Sequence, residues 1–183
     1  MKNISKPLVV LLLPALFLLP RIDTIFSARM PRKALAEPVL LLLLGWVLSR
    51  AFPQRTARHA PSAVAVATLV FLFWMIPRSI DLTQIYPGAN VLYVISFFAV
   101  GFLLSHYLPL LSGVAKVAYG LYFSSMIVAL GLLYASQSTL LCSAFTLEDQ
   151  HAFGWMVILL GIVAYLMVLV SMTRWLIPSA RRP

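Results

Sequence analysis

The sequence predicts an all-α fold: a polytopic membrane protein built as one bundle of about six transmembrane helices, with residues 1–183 forming a single transmembrane domain. Three observations carry that expectation. Six apolar runs lie at approximately 7–25, 34–52, 62–76, 89–108, 114–136 and 153–177, and a bilayer core of roughly 30 Å is crossed by about 20 apolar residues of helix. The chain is 62% hydrophobic and only 10% charged, where a soluble domain carries about 25% charge. All five acids, Asp23, Glu37, Asp81, Glu148 and Asp149, fall at loops or helix ends on one side of the runs.

The first run follows Met-Lys-Asn-Ile-Ser-Lys, the layout of a signal peptide. No small-x-small cleavage site follows, since Phe26 stands two before Ala28, so a retained first helix is expected. Pro14 inside it is a tolerable kink, because membrane helices re-satisfy the freed backbone groups. Pro31 and Pro53 bracket the second run. Pro61 opens the third, Pro87 precedes the fourth and Pro109 closes it, as suits a residue that fits a first helical turn and opposes continuation. Gly113, Ala118, Gly120 and Ser124 give the fifth run a small-residue face, and Gly154 and Gly161 do so in the sixth, which lets helices approach closely. Residues 137–152 form the longest loop, where Thr146-Leu-Glu-Asp reads as a cap for a short helix leading into the sixth span. Tyr86, Tyr107, Tyr134, Trp155 and Trp175 sit near run ends, as an interfacial belt would.

Orientation follows from the cations. The side with both termini holds Lys2, Lys6, Arg50, Arg55, Arg58, Lys116, Arg174, Arg181 and Arg182; the other holds Arg21, Arg29, Arg32, Lys33 and Arg78. The positive-inside rule then puts both termini in the cytoplasm of a bacterial inner membrane. The net charge of +9 is spread over loops, where anionic lipid headgroups account for it better than nucleic acid does. Cys142 is the only cysteine, which excludes an internal disulfide and cysteine-cluster metal sites.

The richest polar segment is Phe73-Trp74-Met75-Ile76-Pro77-Arg78-Ser79-Ile80-Asp81. Arg78 and Asp81 stand three apart, so a helix continuing past Pro77 would pair them at the outer membrane edge. Their alternative role is an anchor fixing helix depth. Pro20-Arg21-Ile22-Asp23 echoes this segment at the end of the first run, a similarity that boundary chemistry explains more simply than duplication.

Trp74, Pro77 and Asp81 form a Trp-x-x-Pro-x-x-x-Asp pattern, and Ser96-Phe97-Phe98 with Gly101-x-Leu103 follows in the next run. Over roughly residues 71–108 this resembles the caa3-type CtaG family of cytochrome c oxidase assembly factors. The resemblance implies a role in assembling a copper-containing oxidase. Members typically carry several intramembrane histidines, whereas here no histidine lies between Asp81 and His106.

No resident cofactor is expected from the residues themselves. Copper favours thiolate, thioether and imidazole donors, and Cys142 and His151, with Met30 or Met156, are the set that could converge as a weak outer site. His106, at the inner end of the fourth run, reads as an interfacial hydrogen-bonder. The expected function is therefore non-catalytic: an assembly factor or accessory subunit of a respiratory or copper-containing membrane complex, with the bilayer and a membrane protein or a second copy as partners. The alternative is a small oligomeric transporter or channel.

Overall fold

The computed structural model describes residues 12–52 and 57–176. Residues 7–11 of the first run, and Lys2, Lys6, Arg55, Arg181 and Arg182 of the orientation count, lie outside them. Among the described residues every regular element is helical. A 3₁₀ helix, Leu13–Leu18, leads into α1 (Pro20–Ser27); a π-helical turn, Arg32–Ala36, leads into α2 (Glu37–Ser49). After a 3₁₀ turn, Ala57–His59, come α3 (Ala60–Met75), α4 (Pro77–Ile85), α5 (Pro87–Tyr107), α6 (Gly113–Ser136) and α7 (Leu147–Leu176).

Three stretches, Pro87–Leu110, Gly113–Ser136 and Leu147–Met172, are long and apolar enough to cross a membrane, or four if α3 and α4, bent by 72°, form one span. This is consistent with an integral membrane protein, with fewer full-length spans than the six apolar runs suggest. The reasons are local. Pro20 starts a new helix at its first position after an extended Leu19, so the first run is broken into two short pieces. The second run yields an α-helix of 13 residues preceded by the π turn. Pro77 likewise starts α4 after an extended Ile76, because proline disfavours helical backbone in the residue before it.

The Pro-Arg echo has a shared geometry. Leu19 and Ile76 adopt almost the same backbone angles, φ −68° ψ 131° and φ −67° ψ 133°. Each proline then opens a short helix whose acid, Asp23 or Asp81, reaches across to a distant segment.

Side-chain contacts fix the helix directions. Lys33 meets Asn90 at one end of the α2–α5 pair and Ser49 meets Ser105 at the other, so these helices run parallel. Gly45 and Gly101 lie in their seam; an added Cβ at either would run into backbone of Phe98 or Leu42. The α6 and α7 helices run antiparallel, meeting backbone to backbone at Gly131 and Gly154. Helix α3 ties the two pairs together. Its Trp74 and Phe71 pack edge-on against Tyr93 and Phe97 of α5, with centroids 5.4 and 5.7 Å apart, and Phe71 also meets Phe123 of α6 at 5.3 Å. Such edge-to-face pairs add to the packing that holds membrane helices together.

Two expectations change in detail. Thr146 does cap, its hydroxyl accepting from the Asp149 N–H at 3.2 Å, but it opens one uninterrupted 30-residue helix rather than a separate short one. Tyr134 is fully buried and donates to Met75 O at 3.1 Å, so it ties α6 to α3 instead of serving as an interfacial anchor.

Candidate functional site

Two polar clusters among the described residues form at the end of the bundle that carries the acids. The first centres on Lys33. The π turn widens the helix there and turns Lys33 inward, where it is fully buried. Its ammonium lies 2.9 Å from Asp23 Oδ1, 3.0 Å from Glu37 Oε2 and 2.8 Å from Asn90 Oδ1. It also sits over the Tyr93 ring, 5.3 Å from the centroid. The Tyr93 hydroxyl donates to the Lys33 carbonyl, satisfying one backbone acceptor that the wide turn exposes. Asn90 bridges the set, its amide donating to Asp23 Oδ1 at 3.2 Å.

The three ionisable groups differ in setting. Glu37 is 1% exposed and neither of its oxygens has a hydrogen-bond partner among the described residues; the ion pair to Lys33 is its polar contact. Asp23 is 34% exposed and faces outward. Lys33 thus connects a carboxylate that water reaches to one that it does not. The arrangement can act as an ionic staple between the first run, α2 and α5, or as a short charge relay inward from the end of the bundle that carries the acids.

This cluster was not singled out from the sequence. Its one local signal was Lys33 and Glu37 four apart at the start of an apolar run, a spacing that puts both on one helix face, where intramembrane ionisable residues read as functional.

The second cluster braces the loop before α7. Asp81 accepts from the Ser143 N–H at 2.8 Å, the Ser143 hydroxyl at 3.0 Å and the Ala144 N–H at 3.1 Å. From the other side, Gln150, 1% exposed, accepts from the Leu141 N–H at 2.9 Å and donates to the carbonyls of Cys142 and Phe145 at 2.8 and 3.2 Å. The pairing of Arg78 with Asp81 is therefore corrected. Arg78 is exposed, and among the described residues the ion pairs are the two made by Lys33. Backbone N–H groups in a turn without helical partners outcompete a solvated guanidinium for the carboxylate.

The Trp-x-x-Pro-x-x-x-Asp pattern thereby gains a physical account: Trp74 packs the core, Pro77 sets the 72° bend and Asp81 captures the loop.

Cys142 and His151 are each committed to a carbonyl. The Cys142 thiol donates to Pro77 O at 3.4 Å. His151 Nε2 lies 2.7 Å from Gln137 O, and because a carbonyl only accepts, this nitrogen carries the proton. Burial first, and then the negative charge of Asp81, push the Cys142 thiol up to about 12. A metal thiolate would have to overcome both, and no group of three or more potential metal-ligating His, Cys, Asp or Glu side chains occurs among the described residues. These two residues as arranged do not fit a copper centre. His106 is buried, stacked on Phe102 at 5.4 Å between centroids, so packing accounts for it at the opposite end.

The bracing has a direct readout. At pH 8 a thiol shifted this far is ionised to about one part in ten thousand, and the thiolate is the reactive form. Cys142 should therefore react very slowly with a maleimide. Asp81→Asn should speed labelling severalfold, because it removes the second of the two causes that keep the thiol protonated and weakens the tie that closes the loop. Glu148→Gln, at an exposed carboxylate of the same face, should leave the rate unchanged. Equal rates in all three proteins would refute the bracing role of Asp81.

Comparison with protein-family models, with curated proteins and with solved structures finds no match to this chain.

Proposed function

We propose that this is a non-catalytic integral protein of the bacterial inner membrane, acting as an assembly factor or accessory subunit of a respiratory or copper-containing membrane complex. The observation that carries this reading is the braced outer cap. Asp81 and Cys142 tie the loop to α4, Gln150 and His151 fold residues 137–151 onto themselves, and Tyr134 ties the end of α6 to α3 beneath them. A surface ordered in advance loses little entropy when a partner docks, and this one presents exposed Leu140 and Trp155 beside the loop. The sequence likeness of Trp74, Pro77 and Asp81 to oxidase assembly factors points the same way. In this reading copper belongs to the partner complex.

The test is purification in mild detergent with a photocrosslinker at Leu140, followed by identification of the crosslinked protein and elemental analysis of the purified chain. The expected result is one respiratory or copper-containing membrane partner, and less than about one equivalent of copper on the chain itself, because its donor set is poor in soft ligands. Self-crosslinks alone would overturn the accessory role, and stoichiometric copper lost in a Cys142→Ser/His151→Ala double variant would make the chain itself a metal carrier.

The same proposal includes six passages of the membrane with both termini cytoplasmic. It is supported by the helix directions, which alternate so that the acids gather at one end and Arg50, His106 and Lys116 at the other. Reporter fusions after Arg58 and Arg182 should read cytoplasmic and a fusion within 137–150 external; an external signal after Arg182 would refute an even number of passages.

The Lys33 cluster favours a second reading, a small oligomeric transporter of protons or cations, since a water-reached acid, a lysine and a dry acid stand in series.

A further inference from the structure

A groove of about 1130 Å³ runs along α2 between the α2–α5 and α6–α7 pairs, with its charged residues at the end of the bundle opposite the acids. Its walls are apolar, with Val39, Leu43, Trp46 and Leu104 on one side and Val168 on the other. Val39 to Arg50 spans eleven residues of helix, about 16 Å at 1.5 Å per residue, enough to lie along much of an acyl chain in one leaflet.

The groove's mouth is cationic. Arg50, exposed, is held over the Trp46 ring at 4.6 Å from the centroid. Lys116, half-buried, lines the opposite wall from the first turns of α6. No acid balances them: all five of the chain's acids belong to the other end, and neither cation forms an ion pair among the described residues. Ser49 and Ser105 lie at the same level, but their protons are spent on the Trp46 carbonyl and on each other, so the two cations carry the recognition.

Two cations without an acidic partner above an apolar slot match one chemistry, a phosphate ester carrying hydrocarbon chains. A second copy or a partner helix would fill the slot without neutralising the mouth. We propose that the groove is a binding site for an anionic phospholipid of the adjoining leaflet, with the phosphate between Arg50 and Lys116 and one acyl chain running past Trp46 toward Val39. The site rests on the membrane reading but not on the accessory role or the outer cap.

The full chain, purified and placed in nanodiscs of phosphatidylcholine doped with phosphatidylglycerol, tests this by native mass spectrometry. The wild type should retain phosphatidylglycerol over phosphatidylcholine by about tenfold or more, the scale expected when two basic side chains meet an anionic headgroup. Arg50→Gln/Lys116→Gln should abolish the preference. Arg78→Gln, which removes an exposed cation at the far end, should leave it intact. Leu43→Trp, narrowing the slot without touching the charges, should lower retention of both lipids; it separates chain binding from headgroup attraction if the double variant fails to fold. Inorganic phosphate at millimolar concentration should not displace the lipid. Equal retention of the two headgroups, a preference that survives in the double variant, displacement by inorganic phosphate alone, or a wild type whose groove is closed by a second copy in a lipid-free dimer would each overturn the proposal.

Discussion

Lys33→Met should destabilise the protein more than any other single change at the end that carries the acids, by about 3–5 kcal/mol, the range seen when one partner of a buried ion pair is removed. The physical reason lies in what remains. Glu37 is 1% exposed and has no hydrogen-bond partner among the described residues, so the lysine is its sole compensation. Without it, Glu37 must take up a proton or remain a buried, uncompensated charge beside Asp23, and either outcome is costly in an apolar surround. Asp23, partly exposed, can turn to water and suffers less. Lys33→Met/Glu37→Met should therefore recover most of the loss, because an ion pair exchanged for apolar side chains of similar volume is often neutral. Thermal unfolding in detergent of wild type, single and double variants gives the coupling directly. A Lys33→Met protein within about 1 kcal/mol of wild type would show that water already reaches the cluster. One further variant separates the two functional readings. In proteoliposomes a transporter would lose proton or cation flux in Glu37→Gln while keeping its fold, whereas an accessory subunit would show no flux to lose.

Gly45→Leu and Gly101→Leu should each be close to lethal for folding. At both positions a Cβ would enter the backbone of the facing helix, Phe98 and Phe102 at Gly45, Leu42 at Gly101. Backbone cannot rotate away as a side chain can, so the α2–α5 pair must separate along its length. The cost should reach or exceed the upper end of the about 1–3 kcal/mol typical of overpacking, since separation also pulls Lys33 from Asn90 and Ser49 from Ser105. Gly88 provides the control: nothing lies within 4 Å of its added Cβ, and Gly88→Ala should leave unfolding unchanged within about 0.5 kcal/mol. Accumulation in membranes and thermal unfolding in detergent both report the effect. A folded Gly45→Leu protein at wild-type stability would mean that the two helices do not touch as described.

Much of this arrangement is written in local sequence. Apolar runs without strand alternation give helices, and prolines at 61 and 87 fall at or next to the helix starts they predict, whereas Pro77 starts a helix where the sequence reading allowed one to continue. Small residues in the last two runs mark the α6–α7 seam, where Gly131 and Gly154 meet. The Trp74–Asp81 segment stood out in the sequence too, by its tryptophan, proline and acid within eight residues, and in the structure it packs, bends and ties the loop. Its chemistry was not legible in the sequence. The i, i+3 spacing offers Arg78 as the partner of Asp81, whereas the N–H groups that capture it belong to residues 62 and 63 positions away.

Composition and periodicity by themselves determined an all-helical chain with apolar helices and with its acids confined to one end, because hydrophobic run length and the covalent limits of proline act within a few residues. Tertiary structure alone decided where the charges go. Lys33 reads as one more loop cation until the π turn and the parallel packing of α5 bring Asn90 and Tyr93 onto it. Arg50 and Lys116 read as orientation signals until two helix pairs leave a groove between them. In both cases a charge in apolar surroundings has a meaning only with its partners, and those partners are set by which helices pack together, a choice made across the whole chain by small residues and close backbone contact.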